Sequence, residues 1–428
     1  MSPARDGHPG ESARDGHPGE SAGGMRWPTR ALTFPDVLVV GAGPAGSTAA
    51  RLLAEGGLDV EILEEHAEVG TPVHCTGLVG EEVFRDFDVP RALVSSRLER
   101  FRVVAPGGGA FDLPRAGAYA LDRRALDVFL ANQAVLAGAR LSTGVKVRSV
   151  ENLGDRVRVV AQSGHAREAR LCVLACGAMS NLPARSGIIA PRTYFRTVQA
   201  NFENDGLEGA EIYLGRDVAA GSFGYAAATG CGVKVGVIAR GVARHGYERL
   251  LRRMPGLRRV TADTYRRIPM GACRKSVAER VLAVGDAAGQ TKTTTGGGIY
   301  YAMLCARMLA ETVLQSRRGS DFSLRLVDGY DAAWRRRLGL EIQGGLWLRG
   351  FFEHVGDDEV DRLVAVAASP PVQDVFLREW DFDFHHRLLV GLARLPELRR
   401  HCLGTLRGRR VLGAILAAVD LRPTFSPL

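Results

Sequence analysis

The sequence predicts a mixed α/β (α+β) protein in which a βαβ unit leads, an antiparallel sheet follows, and helices close the chain. Three observations carry that expectation. Residues 36–65 pass from an apolar strand through a glycine-rich turn into a small-residue helix and a second strand. From Tyr194 to Ile238 short runs alternate apolar and polar, the period of strands. Beyond Ser320 the pattern is helical.

Composition narrows the classes. With 428 residues, 46% of them hydrophobic, the chain can bury a large core and build two or three structural units. Its seven cysteines (Cys75, Cys172, Cys176, Cys231, Cys273, Cys305 and Cys402) are scattered, with no CxxC pair for zinc and no secretory signal ahead of them. A reducing cytoplasm is therefore expected, and no metal. No apolar run reaches the roughly 18 residues of a spanning helix, so membrane contact is expected to be peripheral. The net charge of +9 suits an anionic lipid surface, nucleic acid or an acidic substrate. No nucleic-acid motif accompanies it, and nucleic acid is not an expected partner.

The first residues repeat ARDGHPGES at 4–12 and 13–21, polar and too short to stack, so a disordered tail with translation starting at Met25 is expected. Then the strand Val37-Leu-Val-Val40 breaks into Gly41-Ala-Gly43-Pro-Ala45-Gly46. In a Rossmann-type unit Gly41 makes the tight turn, Gly43 lets a pyrophosphate approach the backbone, and Gly46 lets helix and strand pack closely. The helix N-terminus offers free N–H groups to the phosphates. Glu64, at the end of the second strand, is placed to accept hydrogen bonds from ribose hydroxyls.

A loop follows, with Pro72-Val-His-Cys75-Thr76-Gly77-Leu78. On this loop and the motifs below, the chain resembles the geranylgeranyl reductase family, flavoproteins of the p-hydroxybenzoate hydroxylase-like group that saturate double bonds in prenyl chains. The resemblance implies that Cys75, Thr76 and Leu78 run close to the flavin of FAD. Cys75 is then a candidate catalytic proton donor, a thiol being an acid of tunable pKa; the other reading is a small residue packing beside the flavin ring.

Phe101–Phe111 reads as a hairpin around Pro106-Gly-Gly-Gly109. Asp122 is a candidate N-cap for a helix over 123–137. The family's Asp-Arg pair implies that Arg123 reaches the flavin pyrophosphate, where a guanidinium pairs bidentately with phosphate oxygens. Residues 144–150 and 157–162 read as paired strands, and the resemblance implies that Val147 offers backbone to the adenine. Leu171–Ala175 is a buried strand; Cys172 and Cys176, four apart, are expected to share its face as core residues.

Strands are expected at 196–202, 210–214, 222–227 and 233–238, an antiparallel platform for substrate. The family's Tyr-x-Trp-x-Phe-Pro motif falls here. Tyr225 matches it as a substrate residue, while Ala227, Thr229 and Gly230 replace the Trp, Phe and Pro.

The strand Arg280–Val284 delivers Gly285-Asp286, whose carboxylate can hold a ribityl hydroxyl, and Gly296-Gly297-Gly298 opens a helix at Ile299 with bare N–H groups toward the flavin ring. Helices are expected at 322–338, 343–354, 358–367, 386–395 and 410–418; Arg399, Arg400, Arg407, Arg409 and Arg410 suit either an anionic membrane surface or a solvated face of a packed helix. The expected organisation is a tail at 1–30, a discontinuous FAD-binding domain at 31–95, 121–185 and 276–320, a substrate sheet at 96–120 and 186–275, and a helical region at 321–428. The resemblance, over about 36–314, implies an FAD-dependent reductase that saturates C=C bonds of a geranylgeranyl-type chain on a lipid, quinone or related isoprenoid. A place in the cytoplasm or at the inner face of the membrane is expected, with electrons from NAD(P)H, ferredoxin or another donor. A flavin monooxygenase or a quinone or aromatic-metabolite oxidoreductase of the same fold is the alternative.

Overall fold

The computed structural model describes residues 34–114, 117–203, 206–317 and 324–403, with isolated positions beyond. The tail with its repeat and Met25, and 410–418 apart from Leu412, Gly413 and Ile415, lie outside the described residues.

The valine- and leucine-rich runs behave as strands buried on both faces, as a covered parallel sheet requires. Val37–Val40 pairs in parallel with Val60–Leu63 on one side and Leu171–Leu174 on the other, with Val37 opposite both Val60 and Leu171. The six-stranded sheet runs Val277–Ala278, Val281–Ala283, Leu171–Leu174, Val37–Val40, Val60–Leu63, Arg140–Ser142. Its core includes Leu53 of helix Pro44–Glu55, Leu126 of helix Arg123–Leu136 and Leu309 of helix Ile299–Arg317. Asp122 caps the second of these helices, its side chain accepting from the Ala125 N–H at 3.0 Å. The strands Val147–Asn152 and Val157–Ala161 pair antiparallel as expected and add Val147, Val157 and Val159 to the same core.

A seven-stranded sheet forms the second layer, in the order Thr264–Pro269, Tyr194–Phe202, Gly232–Ala239, Phe223–Thr229, Ala210–Tyr213, Phe101–Val104, Ala110–Leu113. The expected hairpin Phe101–Phe111 is its edge, joined in parallel to Ala210–Tyr213.

Two expectations fail for physical reasons. Cys176 does not share the strand of Cys172, because that strand ends at Leu174 and Cys176 lies in the turn behind Gly41. Burial raises both thiols, Cys176 to about 11. The helices expected at 322–338 and 343–354 are one, Leu324–Phe352. Tyr330, Trp334, Leu338 and Ile342, four apart, bury one continuous stripe against the core, and this packing carries the helix through Gly339. Helices Pro370–Glu379 and Pro396–Leu403 were not expected. No described helix is long and apolar enough to cross a membrane.

Candidate active site

The nucleotide end is shaped by backbone proximity. Gly41 has φ 106°, and a Cβ on it would lie 2.5 Å from the Ala175 carbonyl oxygen. At Gly46 a Cβ would meet the Gly41 carbonyl oxygen at 1.9 Å, so helix and turn interlock only without a side chain. Gly43 differs: nothing lies within 4 Å of where its Cβ would be. The helix begins there with Pro44 in its first turn and no side-chain cap, leaving its N-terminal charge to a ligand. Glu64 is buried; its Oε2 accepts from the Ala42 N–H at 2.8 Å and its Oε1 from the His66 N–H at 3.0 Å. That pairing holds the carboxylate at the rim of the glycine turn.

Arg123 pairs with Asp127 one turn on in the same helix, its Nη2 donating to Oδ1 at 2.7 Å and to Oδ2 at 2.8 Å. Its Nε is buried with no partner. Burial pushes the Asp286 carboxyl up to about 6, against the pull of the Arg123 charge. An orphaned guanidinium N–H, an open cradle at Gly43 and an enclosed carboxylate fit a pyrophosphate bearing polyol hydroxyls, and so they fit FAD.

The glycine run is held from two directions. The Lys292 N–H donates to the Gly297 carbonyl at 2.8 Å and the Gly296 N–H to the Lys292 carbonyl at 2.7 Å. A Cβ on Gly297 would lie 2.8 Å from Lys292 Cε, so the lysine stem fills the space behind the loop. Lys292 Nζ reaches Asp383 Oδ1 at 2.7 Å and the Phe382 carbonyl at 3.0 Å, both from the C-terminal region. From the long helix, the buried Arg349 donates to the carbonyls of Thr293 and Thr294 and to Ser222 Oγ. Gly345 lets that helix approach, since a Cβ there would lie 2.3 Å from Thr293 Oγ1. The final hundred residues thus help to shape the glycine loop that lines the cavity. Burial lowers Arg349 to about 10 and His385, beside Thr294, to about 3.

Gly41, Gly43, Ala45, Glu64, Cys75, Thr76, Leu78, Arg123, Val147, Asp286, Gly297, Gly298, Ile299 and Tyr225 line one cavity of about 970 Å³. Gly46 does not line it and acts through packing. Cys75 accepts from the Gly77 N–H at its Sγ, 3.4 Å away, and its carbonyl accepts from the buried Lys234 Nζ at 2.8 Å. Burial lowers Lys234. Burial and the neighbouring Arg266, which touches its ring, lower His74 to about 4. Of the three departures from the family motif only Ala227 faces the cavity; Thr229 Oγ1 donates to the Gly232 carbonyl and Gly230 packs on Ser95 in the turn. Aromatic wall is supplied instead by Phe101, Phe223 and Phe382, beside Ile212, Ile238 and Ile268. Sequence reasoning missed Gln199, Lys292, Arg349 and Phe382. Lys292 lies between Gly285-Asp286 and the glycine run; the others carry no local signal.

A parallel-sheet nucleotide cradle open to an antiparallel sheet with an apolar wall, with an aspartate and a glycine run between them, defines an FAD-dependent oxidoreductase. A profile for an NAD(P)-binding Rossmann-like domain matches residues 39–90. The chain is 30% identical over 364 residues to digeranylgeranylglycerophospholipid reductase 1 of Methanothermobacter thermautotrophicus, covering 78% of this chain and 90% of that protein. It is 29% identical to the digeranylgeranylglycerophospholipid reductase of Methanothrix thermoacetophila, covering 80% and 94%. Its fold matches a geranylgeranyl bacteriochlorophyll reductase-like protein of Thermoplasma acidophilum with TM-score 0.76 at 21% identity, over 86% of this chain and 98% of that one. The chain belongs to the geranylgeranyl reductase family.

Proposed function

We propose that the protein saturates C=C bonds in a geranylgeranyl-type chain carried by a lipid, quinone or related isoprenoid. The observation that carries this reading is that one cavity runs from the nucleotide cradle to an apolar wall of Phe101, Ile212, Phe223 and Ile268, a surface for a hydrocarbon chain. FAD, when bound and reduced, supplies the hydride. Around it, Gly43 and the helix at Pro44 receive the pyrophosphate, with Arg123 donating to it. Glu64 and Asp286 accept from ribose and ribityl hydroxyls. Val147 lies at the adenine, and Ala45, Thr76, Leu78 and Ile299 pack on the cofactor. The Gly297 and Gly298 backbone borders the ring, with the Gly297 N–H donating to Thr295 Oγ1 at 3.3 Å. Cys75 holds the proton destined for the second alkene carbon, and Tyr225 borders the chain. The apolar wall excludes water and holds the alkene close, which an isolated double bond needs because it is a poor hydride acceptor.

The reductant (NAD(P)H, ferredoxin or another donor) and access from the inner membrane face belong to the same proposal, the latter supported by the net charge of +9. Anaerobic incubation of dithionite-reduced holoenzyme with a geranylgeranyl glycerophospholipid, followed by mass spectrometry, is the test. Gain of two mass units per double bond is expected. Product that forms only with oxygen, or only from quinones and aromatic metabolites, would replace this reading with a monooxygenase or quinone oxidoreductase.

A further inference from the structure

Gln199 sits where three adjacent strands place one residue each in a row. It pairs with Gly236, and Gly236 pairs on its other side with Tyr225, so all three share a face of the sheet. Two strand spacings, about 9.5 Å, separate the backbones of Tyr225 and Gln199. The phenol crosses that distance because Gly236 has no side chain. A Cβ there would lie 2.6 Å from the Tyr225 hydroxyl oxygen and 2.8 Å from Gln199 Cβ. The Tyr225 hydroxyl then donates to Gln199 Oε1 at 2.5 Å. At the other end of the amide, Nε2 donates to the carbonyl of His74 at 2.8 Å, one residue before Cys75. Only the NH2 group can donate to a carbonyl, so the chemistry fixes which way the amide points. Gln199 is 5% exposed and lines the cavity.

We propose that Gln199 is a positioning residue for the reduction: one amide commits the Tyr225 hydroxyl hydrogen inside the sheet and, through its other end, holds the Cys75 loop against the substrate platform. Tyr225 then presents oxygen lone pairs, not a proton, to the cavity. Burial, which raises its pKa far above the usual tyrosine range, agrees with a phenol that stays neutral. The proton for the alkene is left to Cys75. This assignment of the proton rests on the prenyl-reductase reading; the clamp itself does not.

The test is alkylation of the FAD-loaded enzyme with iodoacetamide, followed by peptide mass mapping, with the exposed Cys231 as internal reference. Gln199→Met removes both hydrogen bonds and keeps the side-chain length. Cys75 is expected to label about fivefold faster relative to Cys231, the scale of one hydrogen bond, while in steady-state turnover kcat falls with little change in KM. Tyr225→Phe, which leaves the His74 bond intact, is expected to label at the wild-type rate. Where Gln199→Met does not accumulate, Gln199→Glu alkylated at pH 9 serves, since an ionised carboxylate can accept from Tyr225 but has no hydrogen for His74. Cys75 labelling unchanged in the glutamine variants overturns the clamp, as does acceleration in Tyr225→Phe equal to theirs. Faster labelling in an enzyme whose wild type reduces no prenyl lipid would keep the clamp and remove the prenyl reading.

Discussion

The two ends of the cavity are built on different principles. At the nucleotide end most of the shape comes from one βαβ segment: Gly41 and Gly46 interlock across five positions and Glu64 turns back onto Ala42, with Ala175 behind Gly41 as the remote contact. At the chemical end the partners are remote. Lys292 meets Asp383, Arg349 meets Thr293 and Ser222, and Gln199 meets His74. The first end is a local motif that a short segment specifies; the second exists only once sheet, loop and C-terminal helices have packed. Lesions at the first should abolish cofactor binding, and lesions at the second should spare the cradle while spoiling chemistry or loop shape.

The largest expected effect is at the cradle. Gly46→Val places carbon where the Gly41 carbonyl already lies 1.9 Å from a Cβ, so purified protein should carry no flavin absorbance. Recovery of a yellow holoenzyme would mean that the interlock is not needed. Cys75→Ser tests the other end: flavin content should match wild type while the single-turnover reductive step slows about 100-fold, the low end for a lost general acid. An unchanged rate removes the thiol from the chemistry.

Arg349→Met sharpens the division, because it lies far in sequence from any cofactor motif. It strips the buried Thr293 and Thr294 carbonyls of their charged donor, and stability measured by urea unfolding should fall by about 3 kcal/mol. FAD affinity should drop roughly tenfold as the glycine run loosens, equivalent to about 1.4 kcal/mol. Unchanged FAD titration would show that the glycine run keeps its shape unaided.

The smallest effect concerns Asp286. Its carboxyl is raised from 3.8 to about 6 in the folded protein, so it binds its proton more tightly folded than unfolded, and its ionisation opposes folding above that range. Asp286→Asn should therefore raise the melting temperature of FAD-free protein by a few degrees at pH 8. The gain should shrink as pH falls below about 6 and vanish near 3.8. A gain independent of pH would place its origin elsewhere.

How much was legible follows the same division. The βαβ unit, the Asp122 cap, the paired strands and the Gly285-Asp286 strand end each have a signature within about 30 residues, and the structure has them at the expected positions. The long helix reads as two in the sequence, while the buried stripe of Tyr330, Trp334, Leu338 and Ile342 joins them by tertiary packing. The aromatic wall could not be found from the tyrosine motif, since Phe101, Phe223 and Phe382 are far apart in sequence.

The sequence by itself determined the cradle: strand–turn–helix geometry, glycine spacing and a terminal acid are constraints set within the single segment from Val37 to Glu64. Only the tertiary structure decided how the far end of the cavity and the loop behind it are built. Burial of Lys292, Arg349 and Gln199 requires partners that compensate their lost hydration, and those partners, Asp383, Thr293 and His74, come into reach only when the sheet and the C-terminal helices close on the glycine run.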